Sequence, residues 1–371
     1  MDGFYSEHEC KLADLEVICA QKTDAGSASR SIEIVHDIPV YEASSVEQDR
    51  SGLMAEWARI LSDGAGVLVI KGACPDLSAL DAASAVFNEI IAEEGEAGSD
   101  HFAAAGHNAR IWNSLQKLCL RAPDVFARYH AAPAIDAACE AWLGPHYQMT
   151  CQVNLVRPGG APQQAHRDYH LGFQTPETLT QYPAHMHHLS PYLTLQGAVA
   201  HCDMPVESGP TKLLPFSQRY GAGYAAYRRD DFRNFFEAHH VQVPLEKGDG
   251  LFFNPALFHA AGANTSNDIQ RMANLMQIGS SMGRTLEAVD RIAMCRALYP
   301  VISEATGAER DAVIAACAEG YSFPTNLDSD PPQGGLAPET QAALFHRALD
   351  SGMSLAAFSD ALDAQAARKL A

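Results

Sequence analysis

The stretch "GDGLFFNPALFHAAGANTSNDIQRMANLMQ", residues 248–277, decides how the chain reads. A Gly-Asp-Gly turn opens it, and an apolar, strand-like run closes on His259. "GANTSND" (262–268) reads as a hairpin turn, and a second strand follows from about Gln270. With the turn centred near Thr265, His259 falls opposite Arg271. Directly opposed side chains of an antiparallel pair lie roughly 5 Å apart at Cβ. The reading therefore sets an imidazole beside a guanidinium on one face of a β structure.

A second stretch supplies what that pair lacks. "QQAHRDYHLGF" (163–173) carries His166 and Asp168 at i and i+2, which share one face if the segment is a strand. An imidazole and a carboxylate on one face can share a metal, and His259 is the candidate third ligand. Two His and one carboxylate leave the opposite face of the metal open, the arrangement of non-haem Fe(II) oxygenases. An arginine nearby suits a carboxylate-bearing cosubstrate, because its fork binds carboxylate bidentately. Arg167 is expected to point away from the metal, toward a salt bridge at the pocket rim.

Composition narrows the function classes. The chain has 371 residues, 47% of them hydrophobic, and a formal charge of −19. Such acidity gives no general attraction to nucleic acid or anionic membranes. No apolar run reaches the roughly 18 residues of a membrane span. The opening "MDGFYSEHECKLADLEVICAQK" lacks the basic-then-apolar pattern of a secretory leader. Nine cysteines without CxxC spacing fit reduced core thiols. The expectation is a cytoplasmic protein acting on a small molecule, with no nucleic-acid or membrane partner; a homo-oligomer is left open.

Along the chain, 50–62 has helical spacing, "GVLVIKG" (66–72) reads as a buried strand, and Leu77–Glu94 and Ala122–Trp142 read as helices. From about Tyr147 short strands take over: "YQMTCQVNLVRPGG", "YLTLQGAVAHCDM", two strands in "HHVQVPLEKGDGLFFNP", and "RMANLMQIG". This texture suggests a mainly β core with flanking helices, a sandwich or barrel of the jelly-roll kind. Helical pattern returns from about Thr285, with Ser354 as an N-cap and Pro338 at an N1 position. The expected division is an oxygenase domain over 1–283, with a helical N-terminal part and a jelly-roll core at about 147–283. A helical extension follows over 284–371, a candidate cover for the barrel or a dimer face.

The ordered set of "HRD" at 166–168, "DMPVESGPTKLLPFSQR" at 203–219, and "GDGLFFNPALFHAAGANTS" with the later Arg271 resembles the phytanoyl-CoA dioxygenase-like family. These are Fe(II)/2-oxoglutarate-dependent oxygenases, and the resemblance covers roughly residues 55–283. It implies a double-stranded β-helix core, related to cupins. It implies iron held by His166, Asp168 and His259, with 2-oxoglutarate and O2 as cosubstrates. Arg271 would hold the distal carboxylate of 2-oxoglutarate. Thr211 falls where the family's loop approaches that site, and Gln152 or Asn154 on the preceding strand could reach it. The aspartate ligand favours hydroxylation, or a related desaturation, over halogenation. The family's Pro-Gly-Ser-His is here Pro215-Phe216-Ser217-Gln218; that histidine is not an iron ligand, so the metal site is untouched.

Residues 169–192 read as a loop able to cover the site, which makes Tyr169, His170, Phe173, His188 and Tyr192 candidate substrate contacts. "YPAHMHHLSP" could hold a second metal, but reads better as a loop of polar aromatics. "YRRDDFRNFF" (227–236) could take a phosphate or CoA, but its interrupting aspartates favour a helix with a solvated face. Two other functions stay open at this point: a cupin-like mononuclear metal enzyme without 2-oxoglutarate, and a non-catalytic ligand-binding protein on the same fold. Arg284 is the next candidate carboxylate anchor after Arg271.

Overall fold

Alternation along one strand organises the molecule. In the segment Arg271–Gly279, the residues Met272, Met276 and Ile278 pack into the main apolar core. Arg271, Ala273, Leu275 and Gln277 point the other way, into a cavity. Both faces of the strand are thus covered, with a period of two.

The computed structural model describes residues 3–94, 108–322 and 326–370. The strands are β1 (Glu33–Val35), β2 (Ile38–Glu42), β3 (Val67–Lys71), β4 (Asn108–Ile111), β5 (Gln148–Val156), β6 (Thr194–Ala200), β7 (Lys212–Leu214), β8 (Gly250–Phe253), β9 (Phe258–Ala260) and β10 (Arg271–Gly279). Eight form one sheet in the order β1-β2-β3-β8-β6-β10-β5-β4, and β7 pairs with β9 in a second sheet. Among the described strands only β2 and β3 run parallel. The small sheet is extended by single bridges, Val241 to Leu213 on one side and His166 to His259 on the other. The two sheets face each other across the cavity. This is a jelly-roll, double-stranded β-helix core with flanking helices.

Helices cover the outer face of the large sheet. Val46–Ser62, Leu77–Glu94, Ser114–Arg121, Pro123–His130 and Pro133–Leu143 join Arg291–Leu298, Gly307–Cys317, Gln341–Asp350 and Leu355–Arg368 there. Trp57, Phe87, Phe126, Cys139, Met294, Phe345 and Phe358 from these helices share one continuous core with the strands. The segment after 283 is therefore packed into the same core as the N-terminal helices.

Several local expectations change. The sheet reaches outside 147–283: β1 to β4 all precede residue 147, and β1, β2 and β4 were too short to read as alternation. The Ala122–Trp142 helix is two helices, since Pro133 lacks the N–H to continue the first and instead starts the second. Only β8 forms at the Gly-Asp-Gly turn. Residues 241–245 make isolated bridges, as Pro244 removes a ladder donor. Thr340, not the residue before Pro338, caps the helix Gln341–Asp350, accepting from the Ala343 N–H at 3.0 Å. Ser354 caps its helix as expected, accepting from the Ala357 N–H at 3.2 Å. The 169–192 segment is not a plain loop: it includes short helices at Pro176–Leu179 and Ala184–Leu189.

Candidate active site

The three expected metal ligands converge. His166 and His259 sit on adjacent segments of the small sheet and exchange backbone bonds, His166 N to His259 O at 3.0 Å and His259 N to His166 O at 3.2 Å. Asp168 is not on a strand; its N–H donates to Pro255 O at 3.0 Å, which brings its carboxylate back beside the two rings. The His166 Nε2 lies 3.8 Å from Asp168 Oδ1, and His259 Nε2 lies 3.5 Å from Asp168 Oδ2. The ligand atoms of the three residues all fall within 4.8 Å of one another, and this is the one such group among the described residues.

The hydrogen bonds behind the ligands fix their chemical form. His166 Nδ1 donates to Gln164 O at 2.8 Å, and His259 Nδ1 donates to Leu257 O at 2.9 Å. A carbonyl can only accept, so the proton of each neutral ring is on Nδ1 and the Nε2 lone pair is left for a metal. Burial, then the neighbouring His259, pushes the His166 pKa down, which favours that neutral form. Gln196 Nε2 donates to Asp168 Oδ2 at 2.6 Å. Burial alone would raise the Asp168 pKa, but in the metal-free site the charge of His166 and His259 when protonated, with the Gln196 donor, outweighs it and holds the carboxylate below its usual range. Phe253 packs against the His259 ring, centroids 4.8 Å apart.

The cavity beside these ligands holds about 690 Å³, within the usual range for small-molecule sites. Arg271 lies in its wall, but not by the hairpin expected. β9 pairs with β7, not β10, and Arg271 stands opposite Val156 of β5. The physical reason is Asn264. Its Nδ2 donates to Val156 O at 2.9 Å and Ile269 O at 2.8 Å, so "GANTSND" crosses from the small sheet to the large one. Arg271 is 7% exposed, and its guanidinium bonds run from Nη1 to Ser208 O and Gly262 O, both 3.2 Å. No carboxylate pairs with it among the described residues. Burial lowers its pKa to about 10, so it stays cationic at neutral pH. Gly209 makes the Ser208 carbonyl available: its φ is +75°, and an added Cβ would fall 2.2 Å from Ala263 O.

Thr211, Gln152 and Asn154 also line the cavity, as do Tyr169 and Phe173. His170, His188 and Tyr192 are not in its wall. His170 Nδ1 meets Ser190 Oγ at 3.4 Å, His188 Nε2 meets Tyr5 Oη at 2.9 Å, and Tyr192 stacks on Trp142 with centroids 5.1 Å apart. Arg284 is exposed and likewise absent from the wall. Arg167 is not at a rim: it is 2% exposed, donates from Nη2 to Ser217 O at 2.5 Å and Tyr220 O at 2.9 Å, and lies over the Tyr224 and Phe258 rings. Gln218, in the place of the family's histidine, donates to Gly64 O at 2.9 Å, away from the ligands. His187 Nε2 bonds Leu179 O instead of joining His185 in a metal site. Arg228 and Arg229 of the 227–236 segment are spent on carbonyls and Asp231.

Residues that the sequence did not single out complete the wall: Arg110, Trp112, Gln196, Gln277, Leu286 and Glu287. A signal for some was present. Gln152 with Asn154, and Arg271 with Gln277, are polar residues at even spacing in strands otherwise apolar. In a strand covered on both faces, such residues mark the cavity side.

The phytanoyl-CoA dioxygenase (PhyH) family model matches residues 62–273, which takes in the three candidate ligands His166, Asp168 and His259 and Arg271. The chain belongs to the PhyH family. As a member of this family of Fe(II)/2-oxoglutarate oxygenases, it takes iron and 2-oxoglutarate as cofactors. The residues present fit both: two Nε2 lone pairs and an ionised carboxylate for the metal, and for the keto acid a buried cation, Arg271, without a carboxylate partner among the described residues. Curated relatives include the dioxygenase andF of Emericella variicolor, 27% identical over 146 residues, 38% of this chain and 45% of that protein. Another is the dioxygenase trt7 of Aspergillus terreus (strain NIH 2624 / FGSC A1156), 26% identical over 147 residues, 38% of this chain and 44% of that protein. The matched region thus spans less than half the length of either. Among solved structures, the epimerase SnoN from nogalamycin biosynthesis is 21% identical with a TM-score of 0.43, covering 62% of this chain and 83% of SnoN. The carbocyclase SnoK from the same biosynthesis gives 21% and 0.43, covering 61% and 83%.

Proposed function

We propose that this PhyH-family chain is an oxygenase that hydroxylates a small organic substrate in the cavity beside His166, Asp168 and His259. The observation that carries the reading is the combination of three ligand atoms within 4.8 Å and the buried Arg271, without a carboxylate partner among the described residues, in the same cavity. A metal site alone would serve a cupin-like enzyme equally well. Arg271 adds the feature that a dicarboxylate cosubstrate needs.

When bound, iron with 2-oxoglutarate and O2 supplies the oxidising power for C–H cleavage, with succinate and CO2 released. This chain's residues set the stage for it. His166 and His259 present Nε2 because their Nδ1 protons are tied to carbonyls. Gln196 holds Asp168 in one rotamer. Arg271, braced by Ser208 and Gly262, binds the distal carboxylate, with Thr211, Gln152 and Asn154 in the same wall. The apolar surfaces of Leu251, Phe253, Ala198 and Leu275 exclude water from the reacting region. No described helix is long and apolar enough to cross a membrane; we place the activity in the cytoplasm, on a small-molecule partner.

The test is O2-dependent conversion of 2-oxoglutarate to succinate by the Fe(II)-loaded protein, screened against small molecules, with product mass spectra. A gain of one oxygen atom in the product supports hydroxylation. Product of unchanged mass, or mass lowered by two hydrogens, would replace hydroxylation by epimerisation, ring closure or desaturation. Metal-dependent turnover indifferent to 2-oxoglutarate would move the chain to the cupin-like reading.

A further inference from the structure

The cavity has two ends, and the sheet register separates them. Arg271 and Gln277 face the cavity from one strand, β10. Six residues of strand put their Cα atoms roughly 20 Å apart. Gln277 stands directly beside Gln196 on β6, and Gln196 is the residue that holds Asp168. The metal ligands are therefore at the Gln277 level. A keto acid that reaches from the metal toward Arg271 leaves the Gln277 end free for substrate.

That end is rich in acceptor atoms without a protein partner. Gln196 is 4% exposed. Only its amide nitrogen can donate to Asp168, so its Oε1 is an acceptor, and it has no partner among the described residues. Gln277 Oε1 is buried without a partner too. Tyr169, 3% exposed, has a hydroxyl with none, and its backbone is held at φ +63° immediately after Asp168. Glu287 accepts from the Asn113 N–H through Oε1 at 2.6 Å, while its buried Oε2 has no partner. Leaving a buried polar atom unpaired costs about 1–3 kcal/mol, so four on one wall call for a ligand. Trp112, Phe173 and Leu286 supply apolar surface around them. Arg110 reaches toward this end: its backbone is level with Asn154, but its Nη1 donates to Gln152 Oε1 at 2.9 Å, level with Leu275, and its charge faces the Glu287 carboxylate, which offsets it.

We propose that Gln196, Gln277, Tyr169 and Glu287 form the substrate-recognising wall, and that it selects a molecule with hydrogen-bond donors, hydroxyl or protonated amine, on an apolar skeleton. Gln196 Oε1, Gln277 Oε1 and the Glu287 carboxylate only accept, the Tyr169 hydroxyl can do either, and Glu287 offsets the Arg110 charge, so carboxylates and phosphate esters are poorer ligands at this end than hydroxyls or amines. The inference rests on the oxygenase reading, to which it adds the substrate class, and it gives the segment after 283 a role through Leu286 and Glu287.

The test uses the full chain with Fe(II) and 2-oxoglutarate under anaerobic conditions. The probes are bicyclic hydrocarbons of one skeleton carrying a diol, a primary amine, a carboxylate or only methyl groups. Binding is read by calorimetry, and the visible absorption of the iron–keto acid complex is recorded in parallel. The diol and the amine should each bind about tenfold tighter than the methyl parent, the worth of one or two net hydrogen bonds, and the carboxylate should bind more weakly than either. Gln277→Leu should remove most of that preference with the iron–keto acid absorption intact, and Gln277→Glu should favour the amine over the diol. A carboxylate that binds as tightly as the diol overturns the proposal. So does absence of any preference over the methyl parent, or a preference unchanged by Gln277→Leu. Loss of the wild-type absorption would instead defeat the oxygenase reading, while calorimetry still reports on the wall.

Discussion

Replacing Arg271 by methionine separates the proposed cosubstrate anchor from the proposed metal site. Methionine keeps much of the buried volume and removes the charge. The guanidinium is 7% exposed, carries no carboxylate partner among the described residues, and is braced by two carbonyls. Removing one partner of a buried, hydrogen-bonded charge pair costs about 2–5 kcal/mol of binding. Taking ~3 kcal/mol, the 2-oxoglutarate Kd should rise about 150-fold. Fold stability should change far less: two carbonyls lose their donor, but a costly buried charge is also removed. Because the Arg271 pKa is about 10, wild-type affinity should hold steady between neutral pH and mildly alkaline pH, and fall only as the guanidinium discharges. The assay is anaerobic titration of Fe(II)-loaded protein with 2-oxoglutarate, with Fe(II) affinity measured separately. Arg271→Lys should fall between wild type and methionine, since it keeps the charge and loses the fork. Arg284→Ala should behave as wild type, because Arg284 is outside the cavity wall. A folded Arg271→Met protein with unchanged 2-oxoglutarate affinity would refute the assignment.

Other consequences can be checked on stability and kinetics. His130 and His201 are buried, and burial lowers both pKa values to about 3. The unfolded chain takes up their protons near the ordinary histidine value of 6.5 and the native state does not, so metal-free protein should lose stability as pH falls from about 6.5 toward 3. Each contributes up to ~1.4 kcal/mol per pH unit, and denaturant melts of His201→Gln should show a shallower dependence; an unaltered slope would count against the assignment. Arg167→Ala strips the donor from Ser217 O and Tyr220 O and empties the space between Tyr224 and Phe258. It should destabilise by about 3 kcal/mol or more, and a wild-type melting midpoint would show that this buried guanidinium is dispensable. Gly209→Ala places a Cβ 2.2 Å from Ala263 O at a φ of +75°. The loop should shift, raising the KM for 2-oxoglutarate through Ser208 and Arg271 more than it lowers kcat; an equal loss in both would point to a general folding defect.

The order of His166, Asp168, His259 and Arg271 along the chain pointed to the candidate site proposed above, and short punctuated strands carried the fold class. What the sequence concealed was which sheet each strand joins. The "GANTSND" segment has the composition of a hairpin turn, and composition is blind to Asn264 reaching Val156 and Ile269 across the sheet boundary. Arg271 still reaches the cavity because both sheets line it. Arg167 was misplaced for a related reason: alternation predicts a direction away from the metal, which holds, but in a closed core that direction leads to the Ser217 and Tyr220 carbonyls instead of solvent. His170, His188 and Tyr192 were placed by proximity in sequence to Asp168. The short helices that follow turn them outward, with His188 held by Tyr5 and Tyr192 stacked on Trp142. Gln196, Gln277 and Glu287 come from segments far apart in the chain, and only the register joins them.

The most direct test of the account is anaerobic titration of metal-free protein with Fe(II) and then 2-oxoglutarate, followed by visible absorption. The account predicts one equivalent of iron, a charge-transfer absorption that grows on adding the keto acid, and no such absorption in His166→Ala, Asp168→Ala or His259→Ala protein. Iron bound with wild-type affinity in all three variants, or a wild-type iron complex whose spectrum ignores 2-oxoglutarate, would contradict it.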